Sequence, residues 1–263
     1  MSLTTDEDAR FTREQLVDGC HKMERLLRGL LDLRGRVAEK VHAIRKLGKS
    51  LRGGFALFQL GNHSSPEIQA IGRLLSGPRD AVSRMNTWGK IAWEGGGGAD
   101  AIGALLVQQT QSAARRPPPE TLTWCIERVA VARKHLEELP PETLEERISH
   151  GLKKLEKRVT KRCQKLDHCD IEDFHETRKA LKAYIGAIGF LPDGLVSLVP
   201  KLAALSEILG DENDLATLST WLEGHGFTVV FVPELWGKLE EFRSSLRTEI
   251  IDEIALLLSS EIE

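Results

Sequence analysis

The sequence predicts an all-α protein made of two similar helical halves, and three features carry that reading. Apolar residues recur at helical spacing, strand signals are nearly absent, and one basic motif occurs twice at a fixed offset. The 263 residues, 41% of them hydrophobic, suffice for one large domain or for two packed halves that each bury a core. Charged residues make up 29% of the chain and mix both signs, which excludes general disorder.

The elements follow in order. Leu26, Leu27, Leu30, Leu31 and Leu33 form an apolar stripe near the start, and Leu47, Leu51, Phe55 and Phe58 form the next. Late in the chain Leu195, Leu198, Val199, Leu202, Leu205 and Leu209 continue the period. Helix breakers divide these stretches. Gly61 to Pro66 ends one helix and starts another, Gly95 to Gly98 reads as a flexible loop, and Pro117-Pro118-Pro119 opens a further helix. Leu139-Pro140-Pro141-Glu142 marks the junction between halves; Asp167 to Asp170, Pro192-Asp193-Gly194 and residues 224–233 divide the second half. The one β-like run, Phe227 to Val232, is bounded by Gly226 and Pro233 and reads as a loop or short extended piece. Four or five helices per half follow, and short connections imply antiparallel bundles.

Charge is segregated although the formal net charge is only −3. Between Arg147 and Lys165 stand Arg147, Lys153, Lys154, Lys157, Arg158, Lys161, Arg162 and Lys165 against Glu156 alone, whereas acids dominate after Leu191. A concentrated basic surface can coexist with an acidic total. The first residues lack the apolar run of a secretory signal, and no stretch approaches the roughly 20 apolar residues of a membrane span. A cytoplasmic protein without a membrane partner is expected. The four cysteines are irregularly spaced, as in reduced cytosolic proteins. Cys163, His168 and Cys169 fit no standard zinc spacing, so neither a metal nor a cofactor is expected.

The repeat is the most informative feature. His42-Ala43-Ile44-Arg45-Lys46-Leu47-Gly48-Lys49 aligns with His175-Glu176-Thr177-Arg178-Lys179-Ala180-Leu181-Lys182 at an offset of 133 (175 − 42), with His, Arg, Lys and Lys shared. These are positions i, i+3, i+4 and i+7, which lie on one helical face. Upstream the same offset pairs His21 with Lys154, Arg25 with Arg158 and Arg28 with Lys161; downstream Asp80 meets Asp214 and Arg79 meets Asn213 at 134. The expected halves are residues 10–140 and 141–263.

A row of like charges repels itself by a few tenths of a kcal/mol per pair. A solvated face, or pairing with Glu39, Glu176, Asp80 and Asp214, is the bland explanation for one such stripe. Two matched stripes favour anion capture. Arg offers a planar fork for phosphate, Lys a mobile point charge, and His a donor when protonated. Groups spaced along a helix suit a chain of phosphates better than one compact ligand. Neither stripe interleaves aromatic residues for base stacking; Tyr184, the sole tyrosine, lies past Lys182, and Phe55 and Phe58 read as core. A phosphate-only polyanion is therefore favoured over RNA or DNA.

On these two His-x-x-Arg-Lys helices the sequence resembles the CHAD family, the conserved histidine α-helical domain, over roughly residues 10–260. Leu75-Ser76-Gly77-Pro78-Arg79-Asp80 matches a later family motif, whereas Leu209-Gly210-Asp211-Glu212-Asn213-Asp214 keeps its Asp and replaces Arg with Asn. The resemblance implies two four-helix bundles related by pseudo-two-fold symmetry and a basic central groove or channel. It further implies that this channel binds inorganic polyphosphate and that the protein associates with polyphosphate granules. The implied binding residues are Arg25, Arg28, His42, Arg45, Lys46, Lys49, Arg52, Arg79, Lys154, Arg158, Lys161, Lys165, His175, Arg178, Lys179 and Lys182. Gly53-Gly54 is expected to shorten or bend the first motif helix. No catalytic residue is expected. A polyphosphate-processing enzyme would use the two histidines as acid/base groups or as a nucleophile, but no GxxxxGK[ST] loop or metal-carboxylate cluster accompanies them. A scaffold for RNA or for a phosphorylated or acidic protein would use the same cations.

Overall fold

A computed structural model describes residues 5–32, 37–91, 93–113, 116–166, 170–192 and 199–260. Leu33, Asp167, His168, Cys169, Asp193, Gly194, Leu195 and Leu198, named above, lie outside the described residues, as do the side chains of Arg79 and Val199. The described residues form ten α-helices with no strand: α1 (Asp6–Leu31), α2 (Val37–Leu57), α3 (Ser65–Leu74), α4 (Ser76–Ile91), α5 (Gly97–Ala113), α6 (Pro119–Glu137), α7 (Leu144–Gln164), α8 (Ile171–Ile188), α9 (Val199–Gly224) and α10 (Pro233–Ser260). A 3-10 turn, Pro141–Thr143, follows the Pro140 junction.

Local chemistry sets the boundaries. Thr5 caps α1 by accepting from the Asp8 N–H at 3.2 Å while the Asp8 carboxylate accepts from the Thr5 N–H at 2.9 Å. Pro118 and Pro119 open α6, where their missing N–H groups leave no bond unmade. Residues 227–232 are a loop, closed by Phe231 and Val232 N–H groups donating to the Thr228 carbonyl, each at 3.0 Å.

Two boundaries differ from expectation. Gly97 and Gly98 belong to the first turn of α5 and not to the preceding loop. Six helices precede Leu139 and four follow it, because α3 and α4 are separated at Leu75. Pro78 has no N–H to return to the carbonyl of Leu74, so one helix through this stretch would lose a bond at that point. The matching stretch around Gly210 has no proline, and α9 runs unbroken through it.

The chain forms two compact units, each drawn from three stretches of sequence. Unit 1 comprises Met1–Ser76, Arg115–Lys161 and Lys179–Leu202. Here α1 packs on α2 and α6, and α3 packs on the same two, closing a four-helix ring. Leu16, Cys20, Met23 and Leu27 of α1, Ile44, Leu51 and Phe55 of α2, Ile68 and Ile71 of α3, and Leu122, Cys125 and Val129 of α6 fill it. Unit 2 comprises Gly77–Ala114, Arg162–Arg178 and Ala203–Glu263. Its core joins Ile91, Ile102, Leu106, Leu215, Leu218, Trp221, Leu222, Leu235 and Leu239, from α4, α5, α9 and α10.

Candidate anion-binding site

The first motif lies on α2 as its spacing predicts. Val41, Ile44, Gly48, Leu51 and Phe55 turn inward, and the basic residues stand on the other side of the helix. His42, Lys46 and Arg52 are exposed; Arg45 and Lys49 are half-buried.

Beside this face a cleft of about 240 Å³ opens in unit 1. Its apolar floor is Met23, Ile44, Ile68 and Ile71, and its charged lining is Arg45, Lys49 and Arg52 from α2 together with Arg73 from α3. No acid lines it. Arg45 donates from Nη1 to the Gly72 carbonyl at 2.6 Å, one of the last carbonyls of α3. Such carbonyls lack helical partners and sit at the negative end of the helix dipole, so they hold a guanidinium well. Although Arg52 is exposed as a residue, crowding desolvates its guanidinium and lowers its pKa; the Arg158 and Arg73 guanidinia lower it further. Four cations thus converge on a lining that holds no acid among the described residues.

Two helices bring further predicted residues into the same unit. A Cβ on Gly53 would strike the Ala183 carbonyl and lie 2.6 Å from the Ala187 nitrogen; one on Gly186 would lie 2.8 Å from the Ser50 Cα. The motif helices α2 and α8 therefore cross backbone to backbone. Gly53 and Gly54 neither shorten nor break α2, which continues to Leu57. Their role is close approach. Lys182, half-buried, and Lys179, exposed, stand on α8 just before this crossing. Arg158 on α7 is exposed and close enough to act on Arg52, and Lys154 and Lys161 are exposed on the same helix. Arg25 and Arg28 are exposed on α1 and do not line the cleft.

The remaining predicted residues belong to unit 2. Lys165 is exposed just past α7. His175 is half-buried, and its Nδ1 meets Asn213 Oδ1 at 2.6 Å. Arg178 is only 9% exposed. Asp214 accepts from the Ser83 hydroxyl at 2.9 Å, so the hydrogen-bond partner of the motif histidine is its neighbour Asn213. Two other arginines, Arg243 and Arg247, are buried and donate to Glu212 Oε1 at 2.9 and 3.1 Å, and the Arg247 guanidinium lies 5.3 Å from the Phe174 ring centre.

Sequence reasoning missed Arg73, Asn213 as a partner, and the Glu212 cluster. A basic residue just before the Leu75–Asp80 motif signalled the first. The departure from Arg at position 213 signalled the second. Nothing in the helical period signalled the third.

Fold and cleft define an all-α helical protein with a cationic, acid-free cleft on its motif helix. The model of the CHAD domain family matches residues 19–223, and the chain belongs to that family. It is similar to the crystal structure of the CHAD domain from the plant Ricinus communis, with a TM-score of 0.70 and 18% identity over 97% of this chain and 95% of that one. It is also similar to PptA from Streptomyces chartreusis, with a TM-score of 0.67 and 15% identity over 96% and 98% of the respective chains. No curated protein matches it in sequence. No helix among the described residues is long and apolar enough to cross a membrane.

Proposed function

We propose that the protein binds inorganic polyphosphate without catalysing a reaction on it, and that this binding directs it to polyphosphate granules in the cytoplasm. The observation that carries the reading is the cleft of Arg45, Lys49, Arg52 and Arg73 with no lining acid. On α2 alone, Arg45 and Arg52 are separated by roughly 10 Å along the axis at about 1.5 Å per residue. That separation exceeds what one phosphate can span and suits several linked ones. Lys179 and Lys182 beside the Gly53 crossing, and Arg158 on α7, extend the cationic surface in the same unit. The duplicated arrangement of residues 10–140 and 141–263 belongs to this reading; both motif helices carry the His-x-x-Arg-Lys-x-x-Lys row.

The test is titration of the purified chain with long-chain polyphosphate at low salt. Sub-micromolar binding that weakens steeply as salt rises is expected, through release of counterions. Arg45→Gln, Lys49→Gln, Arg52→Gln and Arg73→Gln combined should abolish most of it. Orthophosphate release from the polymer, lost on His42→Ala and His175→Ala, would instead establish an enzyme. Equal competition by single-stranded RNA at matched charge would establish a general polyanion scaffold.

A further inference from the structure

The 2.6 Å contact between His175 Nδ1 and Asn213 Oδ1 fixes more than a side-chain position. An amide oxygen only accepts hydrogen bonds, so Nδ1 carries the hydrogen and donates it. The second ring nitrogen, Nε2, makes no hydrogen bond among the described residues. In the neutral ring that nitrogen is a lone-pair acceptor, which a phosphate oxygen cannot use. Only the doubly protonated ring can donate to Asn213 and to an anion at once.

We infer that Asn213 makes anion binding at His175 proton-linked: it holds the imidazole so that phosphate engages Nε2 only when the ring takes up a proton. The inference rests on the polyphosphate reading and specifies how the motif row on α8 responds to pH.

The charges around His175 leave this role to the ligand. On α8, Asp173 and Glu176 each lie 3.5 Å from Arg162 of α7, Arg178 is buried, and Glu172 and Lys179 are exposed. On α9, Asp211 is 2.8 Å from Lys90 of α4, Glu212 is held by Arg243 and Arg247 of α10, and Asp214 accepts from Ser83 of α4. The histidine itself bonds a neutral amide, so the imidazolium gains its countercharge from the bound anion. The internal phosphates of a long polymer stay ionised through neutral pH. His42 is the other histidine of the motif rows.

The experiment is calorimetric titration of the full-length protein with long-chain polyphosphate at about pH 7, in buffers of different ionisation enthalpy, with affinity followed from about pH 8 to about pH 5.5, where imidazole titrates. Wild type should take up protons on binding and gain roughly tenfold in affinity across that range, the size of one charge-assisted hydrogen bond. Asn213→Ala and His175→Gln should each lose most of the uptake, with a substitution of His150, exposed on α7 and outside both motif rows, as the control that retains it (His150→Ala). Nitrogen-resolved imidazole spectra of the neutral protein should show His175 with its hydrogen on Nδ1, shifting to Nε2 in Asn213→Ala. Should Asn213→Ala fail to fold, His175→Gln carries the comparison. Polyphosphate binding without proton uptake, uptake unchanged in both variants, or a hydrogen on Nε2 in wild type overturns the inference alone. Absence of binding at every pH overturns the polyphosphate reading and this inference with it.

Discussion

Arg52→Gln should make the unliganded protein more stable and its ligand bind more weakly. The guanidinium is desolvated and crowded by Arg158 and Arg73, as its lowered pKa records. Each like-charge neighbour costs a few tenths of a kcal/mol near a surface. Two neighbours together with the partial desolvation amount to about 0.5–1 kcal/mol. Gln is two heavy atoms shorter but is polar and has nearly the same helix propensity, so loss of the charge is the principal change. The melting temperature should rise by roughly 1–4 °C. Binding should respond oppositely. A charge-assisted hydrogen bond contributes about 1.5–3 kcal/mol, and the exposure of Arg52 sets the lower end, so affinity for polyphosphate should fall roughly tenfold. Thermal denaturation without ligand and titration at fixed low salt read the two quantities on the same samples. A variant that is less stable and binds unchanged would refute the reasoning, because Arg52 would then be a structural residue and not a held charge.

Four further outcomes follow from the packing. Gly53→Ala should cost about 1–3 kcal/mol in a denaturant titration, because its Cβ would press on the Ala187 nitrogen at 2.6 Å and on the Gly186 carbonyl carbon at 2.9 Å. Gly237→Ala in α10, where a Cβ meets nothing within 4 Å, should instead stabilise by roughly 0.5–1 kcal/mol. Glu212→Gln should destabilise by about 3 kcal/mol, since it removes the carboxylate charge from the buried Arg243 and Arg247; no change in the unfolding midpoint would contradict that. Burial pushes the Cys20 thiol up to about 12 and the Cys125 thiol up to about 11, from an ordinary value of 9.0. A raised folded pKa keeps its full stabilisation below the unfolded pKa and loses it above. Stability should therefore decline from about pH 9 toward pH 11–12, and a Cys20→Ala, Cys125→Ala protein should show a flatter decline over that window.

The all-α class and the α2 stripe were legible in the sequence because both are local. The i, i+3, i+4 and i+7 positions place His42, Arg45, Lys46 and Lys49 on one face in any helix, and Phe55 and Phe58, read as core, are fully buried. What escaped depends on distant pairs. Arg73 joins Arg45 only because α3 packs on α2. Asn213 meets His175 across 38 residues of sequence. Gly53 looks like a helix weakener when only propensity is weighed; its reason is the α8 backbone, which no local pattern announces. The division at Leu75 was present in Pro78, but the repeat drew attention to what the two halves share. The buried Arg178 shows the limit of a motif: equal spacing on α2 and α8 leaves Arg45 half-buried and beside a cleft, and Arg178 only 9% exposed.

The most direct test of the central claim is the salt dependence of polyphosphate binding in wild type and in the Arg45, Lys49, Arg52, Arg73 to Gln protein. Each cation that engages a phosphate contributes about 0.7 to the slope of log K against log salt, taking the value for flexible single strands. Removing four should lower the slope by roughly 3 while the protein stays folded. An unchanged slope and affinity would place the polyphosphate elsewhere and contradict the assignment of the α2–α3 cleft.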